Sequence, residues 1–113
     1  MLIKNISKKT TISKNARVCK GILSKSIGLM FLLRPKTLIF IFKKEKIIPL
    51  HMLFVFFPID VLFLDKNKIV IEKKEKFLPF TFFTPKKKVM YVVELPHGKI
   101  KKSKTNVNDK IEF

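Results

Sequence analysis

Apolar residues along this chain come in short bursts. TLIFIF (37–42), MLFVFF (52–57), VLFLD (61–65), KIVIE (68–72), FLPFTFF (77–83), VMYVVELP (89–96) and KIEF (110–113) are separated by basic or turn-forming clusters. Runs of four to eight residues rich in Val, Ile, Phe and Tyr predict strands, and a sustained 3.6-residue period is hard to find. The intervening residues fit this reading. Asp65 and Asn67 tolerate turn geometry and predict a hairpin between VLFLD and KIVIE; Pro96 with Gly98, and Asn106 with Asn108 and Asp109, predict two more turns. KKEK occurs at 43–46 and again at 73–76 with unlike flanks, which reads as two charged loops rather than a repeat. One helix is predicted, over residues 21–33, with Ser24 as a cap and Gly28 costing it about 1 kcal/mol.

The longest apolar stretch, IIPLHMLFVFFPIDVLFL at 47–64, needs separate treatment. As a helix it would reach about 27 Å, close to a bilayer's hydrocarbon thickness. Asp60 and the interior prolines Pro49 and Pro58 offset most of what its apolar residues contribute to insertion. Two strands account for every awkward residue: each proline sits at a strand start, and Asp60 enters or ends a strand. Residues 52–57, apolar at every position, then predict a strand covered on both faces.

Length and composition narrow the class further. A chain of 113 residues is read as one domain, with residues 1–15 as a polar N-terminal strand or arm and 16–113 as the β domain proper. A hydrophobic fraction of 47% with twelve phenylalanines is enough for a packed core and argues against disorder. Net charge is +17, a field that attracts polyanions such as nucleic acid or an anionic membrane surface. Only Arg17 and Arg34 are arginine, however, and lysine is a poor bidentate ligand, so the charge by itself speaks for non-specific electrostatics. Cys19 is the only cysteine, which removes any intrachain disulfide or CxxC metal knuckle. The first twenty residues contain no apolar segment of signal-peptide type, so a cytoplasmic location is expected.

Taken in order, GLMF (28–31), TLIFIF, HMLFVFFPIDVLFLD (51–65), VVELPHG (92–98) and the terminal NDKIEF resemble domain-of-unknown-function family 192 over about residues 16–113. Met52, Pro58, Ile59, Asp60, Phe63 and Asp65 fit one family block, and Glu94, Leu95, Pro96 and Gly98 another. The resemblance implies a compact, mainly β fold of jelly-roll or sandwich type with one short helix. It implies no function. His51 stands where the family commonly has Trp, and Leu32 near a common Arg.

Two constellations carry the candidate chemistry. His51, Asp60, Glu94 and His97 form a candidate polar pocket: if they converge, burial raises a carboxylate pKa into the range of acid–base work, and if they point outward they cap turns or pair with lysines. Lys73, Lys74, Lys76, Phe80, Phe82, Phe83, Lys86, Lys87 and Lys88 form a candidate polyanion-binding set. Exposed, the rings at 77–83 can stack on unpaired bases or dip into an anionic bilayer surface; phenylalanine is usually buried, so the default expectation is a loop folded over the open end of a sandwich. No nucleophile elbow, phosphate-cradling glycine loop or zinc-ligand spacing is present, and no catalytic residue, metal or cofactor is assigned. The overall expectation is a non-enzymatic binding or accessory module with a polyanionic partner, ahead of a small pocket enzyme or ligand-binding protein using Asp60 and Glu94, and of peripheral membrane association through the 77–83 loop.

Overall fold

A computed structural model of the chain describes residues 1–19, 35–52 and 55–113. The described residues are mainly strands: β1 (Ile3–Asn5), β2 (Thr10–Ser13), β3 (Arg17–Cys19), β4 (Leu38–Lys46), β5 (Leu50–His51), β6 (Ile59–Leu64), β7 (Val70–Phe77), β8 (Phe82–Phe83), β9 (Val89–Pro96) and β10 (Ile111–Glu112), with one short helix among them, α1 (Lys99–Lys102), between β9 and β10. The helix expected over residues 21–33 lies outside the described residues.

A five-stranded sheet in the order β3-β4-β9-β6-β7 is the centre of the molecule, antiparallel except for the β3/β4 pair. Its two faces carry separate cores, because side chains alternate across the pleat. Leu38, Phe40, Val61, Phe63 and Val92 lie on one face and pack with Ile48, Met52, Val55, Phe77 and the flanking Phe83. Ile39, Leu62, Leu64, Val93 and Leu95 lie on the other, against Ile3, Ile12 and Ile111 of the three-stranded sheet β10-β1-β2 and Ile100 of α1. Residues 1–15 are thus an integral layer: β1 pairs with both β2 and β10, and Asn5 Nδ2 donates to Thr105 Oγ1 and Asp109 Oδ2 at 3.0 and 2.9 Å. The radius of gyration of 12.7 Å matches the ~13 Å of a single domain near this length.

The hairpin predicted at Asp65 and Asn67 joins β6 to β7. Asp65 Oδ1 accepts the amides of Asn67 and Ile69 at 2.8 and 3.0 Å, and Lys68 takes the left-handed conformation with φ 62°. Pro49 and Pro58 each stand immediately before a strand, β5 and β6. Two expectations are corrected. Met52 and residues 55–57 are not in a strand, 53 and 54 lying outside the described residues; the Val55 amide donates to the Met52 carbonyl at 3.2 Å, and the strand buried at every position is β6. Both KKEK runs are strand rather than loop, closing β4 and filling β7. β7 is an edge strand whose backbone pairs with β6, and lysines along such a strand are a usual defence of an exposed edge.

The ladder between β6 and β7 slips twice, between Phe63 and Leu64 and again between Val61 and Ile59. Val61 faces Lys74 but Ile59 faces Phe77, so β7 holds an extra residue there, and Lys76 in this bulge has φ 52°. The second slip turns Phe77 into the first core. It also removes the Lys76 amide from the ladder, which gives Asp60 its partner.

Candidate functional site

Asp60 is fully buried in β6, on the face that carries the second core. Its Oδ1 accepts the bulged Lys76 amide at 3.0 Å and contacts His97 Nδ1 at 2.8 Å; its Oδ2 accepts the amides of Gly98 and Ile100 at 2.9 and 3.1 Å. Four partners on one carboxylate satisfy a charge that burial alone would make very costly. The residue thereby joins three segments: β6, the β7 bulge and the turn into α1. Gly98 is suited to that turn, since its φ of 99° is a conformation that side-chain-bearing residues rarely adopt. Three backbone donors fix Asp60 as an acceptor, which assigns the proton of a neutral His97 ring to Nδ1 and leaves Nε2 outward on a side chain 42% exposed. Among the described residues no hydroxyl or thiol bonds to that imidazole, so the pair orients a base without a nucleophile beside it.

Glu94 lies on the opposite face. In the β6/β9 ladder Asp60 stands across from Leu95 and Glu94 across from Val61, so the two carboxylates are separated by the thickness of the sheet. Glu94 also faces Leu38 of β4, which places it beside the first core. It keeps partial contact with solvent, yet protein surrounds its carboxyl, and burial pushes its pKa up to about 7. Its effect reaches Cys19: burial first, then the Glu94 charge, raise the Cys19 thiol pKa against the pull of Arg17. His51 is elsewhere again, exposed in β5 and paired with Phe82 of β8. The four polar residues therefore do not share one pocket: His97 joins Asp60, while Glu94 and His51 stand apart. Among the described residues no three His, Cys, Asp or Glu side chains gather closely enough to hold a metal ion.

The aromatic and basic set divides differently. Phe77 is buried and Phe83 packs inward, 5.6 and 6.2 Å between ring centroids from Phe63 and Phe77. Phe80 and Phe82 face out, 52% and 70% exposed. The β5/β8 ribbon explains the split, since in a strand neighbouring residues take opposite sides: Leu50 and Phe83 turn to the core, His51 and Phe82 to solvent. Phe80 is held by its amide on the Met52 carbonyl at 2.8 Å with φ 60°, a left-handed conformation that costs a bulky residue roughly 1–2 kcal/mol. Phe56 stacks edge-on against it at 5.9 Å and is itself 56% exposed; read from sequence as part of a buried run, it belongs to this surface together with exposed Leu78.

Lysines surround these rings unevenly. Lys74 Nζ lies 5.4 Å from the Phe83 centroid, Lys76 is exposed, and Lys86, Lys87 and Lys88 are exposed on a bend anchored by the Lys86 amide on Glu72 Oε1 at 2.9 Å. Lys73 points to the other side of β7, pairing with Glu75 at 3.6 Å and Asn106 Oδ1 at 3.2 Å, so it stands outside the group.

A two-faced central sheet, a buried carboxylate knotting its connections and an outward aromatic ribbon define a small, mainly β domain, and no helix among the described residues is long and apolar enough to cross a membrane. The chain belongs to the DUF192 family, described as "Uncharacterized ACR", whose match spans residues 3–113. It is similar to a UPF0127 protein of Pyrococcus furiosus, 33% identical with 96% of this chain and 95% of that one covered, and to a UPF0127 protein of Pyrococcus horikoshii, 31% identical with 99% and 98% covered. Among solved structures, a proposed transcription regulator from Sinorhizobium meliloti 1021 superposes with a TM-score of 0.87 at 21% identity, covering 98% of this chain and 89% of that one. A protein of unknown function from Novosphingobium aromaticivorans DSM 12444 gives 0.86 at 17%, covering 99% and 82%. At those identities the likeness concerns the fold alone.

Proposed function

We propose that this domain is a non-enzymatic binding module that takes single-stranded nucleic acid on the outer side of the β5/β8 ribbon and the adjoining 78–81 loop. The observation that carries this reading is the outward placement of Phe80 and Phe82 in a molecule that buries Phe63 and Phe77 almost completely. Every base has a face on which an aromatic ring can stack, whatever the sequence, and the lysines Lys74, Lys76, Lys86, Lys87 and Lys88 supply the charge that tracks a phosphate backbone.

Fluorescence anisotropy with labelled single-stranded RNA at physiological salt tests the proposal. Changing Phe80 and Phe82 together to alanine is expected to weaken binding by at least about tenfold, given roughly 1–3 kcal/mol per stacked base. Binding that disappears between low and physiological salt and ignores both phenylalanines would reduce the lysines to surface composition. Failure on RNA with tight, Phe-dependent binding to vesicles of anionic lipid would instead make the ribbon a membrane anchor.

A further inference from the structure

Far along the chain from the aromatic ribbon, two clefts adjoin one another and share Asn15 and Lys99 among their walls. The larger, of about 460 Å³, lies between the chain before β3, the start of β4 and the end of β9, and Arg17, Lys36 and Thr37 are among the residues that line it. The second, of about 340 Å³, continues between β2 and α1, where Lys14, Lys102 and Ser103 line it. Each falls in the range of small-molecule sites, roughly 300–1,000 Å³. Among the described residues no carboxylate lines either cleft. The ion pairs among the described residues lie elsewhere, at Lys8, Lys73 and His97, so the five cations around these clefts have no acidic partner within the described protein.

Five unneutralised charges around one concavity repel each other, and an anion seated among them removes that repulsion. The cleft also offers directional donors. Arg17, one of the two arginines in a chain that otherwise relies on lysine, brings the planar fork suited to phosphate oxygens. Its position is set by its own amide on the Thr37 carbonyl at 3.0 Å. Asn15 Oδ1 accepts the Ser13 hydroxyl at 3.2 Å, which leaves the Asn15 amide hydrogens for a ligand. Because the cations are spread over two volumes with Lys99 between them, a single phosphate would neutralise only one end.

We propose that this double cleft binds a linear di- or triphosphate group carried by a small molecule, with Arg17 and Lys99 as its principal ligands. The site shares no residue with the aromatic ribbon, and each stands or falls alone.

Isothermal titration calorimetry of the full chain with inorganic tripolyphosphate, and in parallel with adenosine triphosphate, at physiological ionic strength is the test. One-site binding is expected, weakened at least tenfold in Arg17→Gln/Lys99→Gln and no more than twofold in Lys43→Gln/Lys44→Gln, which removes the same charge from exposed positions on β4. Arg17→Lys, which keeps the charge and loses the fork, is expected to cost at least threefold and covers the case of a double variant that fails to fold. Tighter binding of the nucleotide than of tripolyphosphate assigns part of the cleft to the organic moiety; equal binding assigns it to the phosphates. Absence of binding to both probes, or equal weakening by the β4 control, overturns the proposal.

Discussion

Two carboxylates one ladder step from facing each other meet opposite fates, and their chemistry follows from the face they take. Asp60 has four donors and is a structural knot. Asp60→Asn keeps its shape but turns one acceptor arm into a donor that faces other donors, so it is expected to lower stability by roughly 2–4 kcal/mol in urea denaturation. Glu94 has a neighbouring thiol and apolar cross-strand partners, and burial raises its pKa from 4.5 to about 7. The folded state therefore holds this proton more tightly than the unfolded chain. Stability from Glu94 is fully present below pH 4.5 and declines as pH rises toward 7, by an amount on the order of 1–3 kcal/mol once partial solvent contact is allowed for. Glu94→Gln is expected to flatten that decline between pH 4.5 and 7.5 in urea midpoints. An unchanged slope would mean that the Glu94 carboxyl is solvated. Asp109 acts in the other direction and at lower pH: burial pushes its carboxyl up, but hydrogen bonds from Asn5, Lys8 and the Asn106 amide and the Lys8 charge hold it below its ordinary value, so its contribution is lost in acid.

At the scale of elements, the irregular places are the ones with consequences. The β7 bulge at Lys76 and the turn at Gly98 meet on the same carboxylate, so strand, bulge and helix start are one unit. A Cβ at Gly98 would meet no atom within 4 Å, yet the φ of 99° strains any L side chain. Gly98→Ala is accordingly expected to destabilise by about 1–2 kcal/mol through backbone conformation alone, lowering the thermal midpoint without changing the fold. The predicted hairpin at 65–67 was readable because turn chemistry is local. The charged runs at 43–46 and 73–76 resemble loops in sequence because their strand state depends on pairing with β9 and β6, distant in sequence. The outward placement of Phe82 and Phe80 has the same kind of cause: alternation in the β5/β8 ribbon sets Phe82, and a left-handed loop residue bonded to Met52 sets Phe80.

For the whole molecule the dominant quantity is the charge of +17. Like charges on one small domain oppose compaction, and salt shortens their reach from ~30 Å at 0.01 M to ~8 Å at 0.15 M. Thermal stability is expected to rise over that range of sodium chloride; a fall would show that attractive pairs such as Lys8 with Asp109 outweigh the repulsion. The same screening makes nucleic-acid binding tested only at low salt uninformative. The sequence by itself determined that this is one mainly β domain with alternating runs, proline-started strands and a local hairpin, because strand propensity, turn chemistry and the ordered family blocks all act over a few residues or survive as pattern. Only the tertiary structure decided that Asp60 and Glu94 lie on opposite faces, that Phe80 and Phe82 face out while Phe77 and Phe83 face in, and that Arg17 and Lys99 border one cleft. Those outcomes depend on register and on a one-residue bulge, and a slip of one residue moves a side chain through the sheet without altering any property that composition or spacing records.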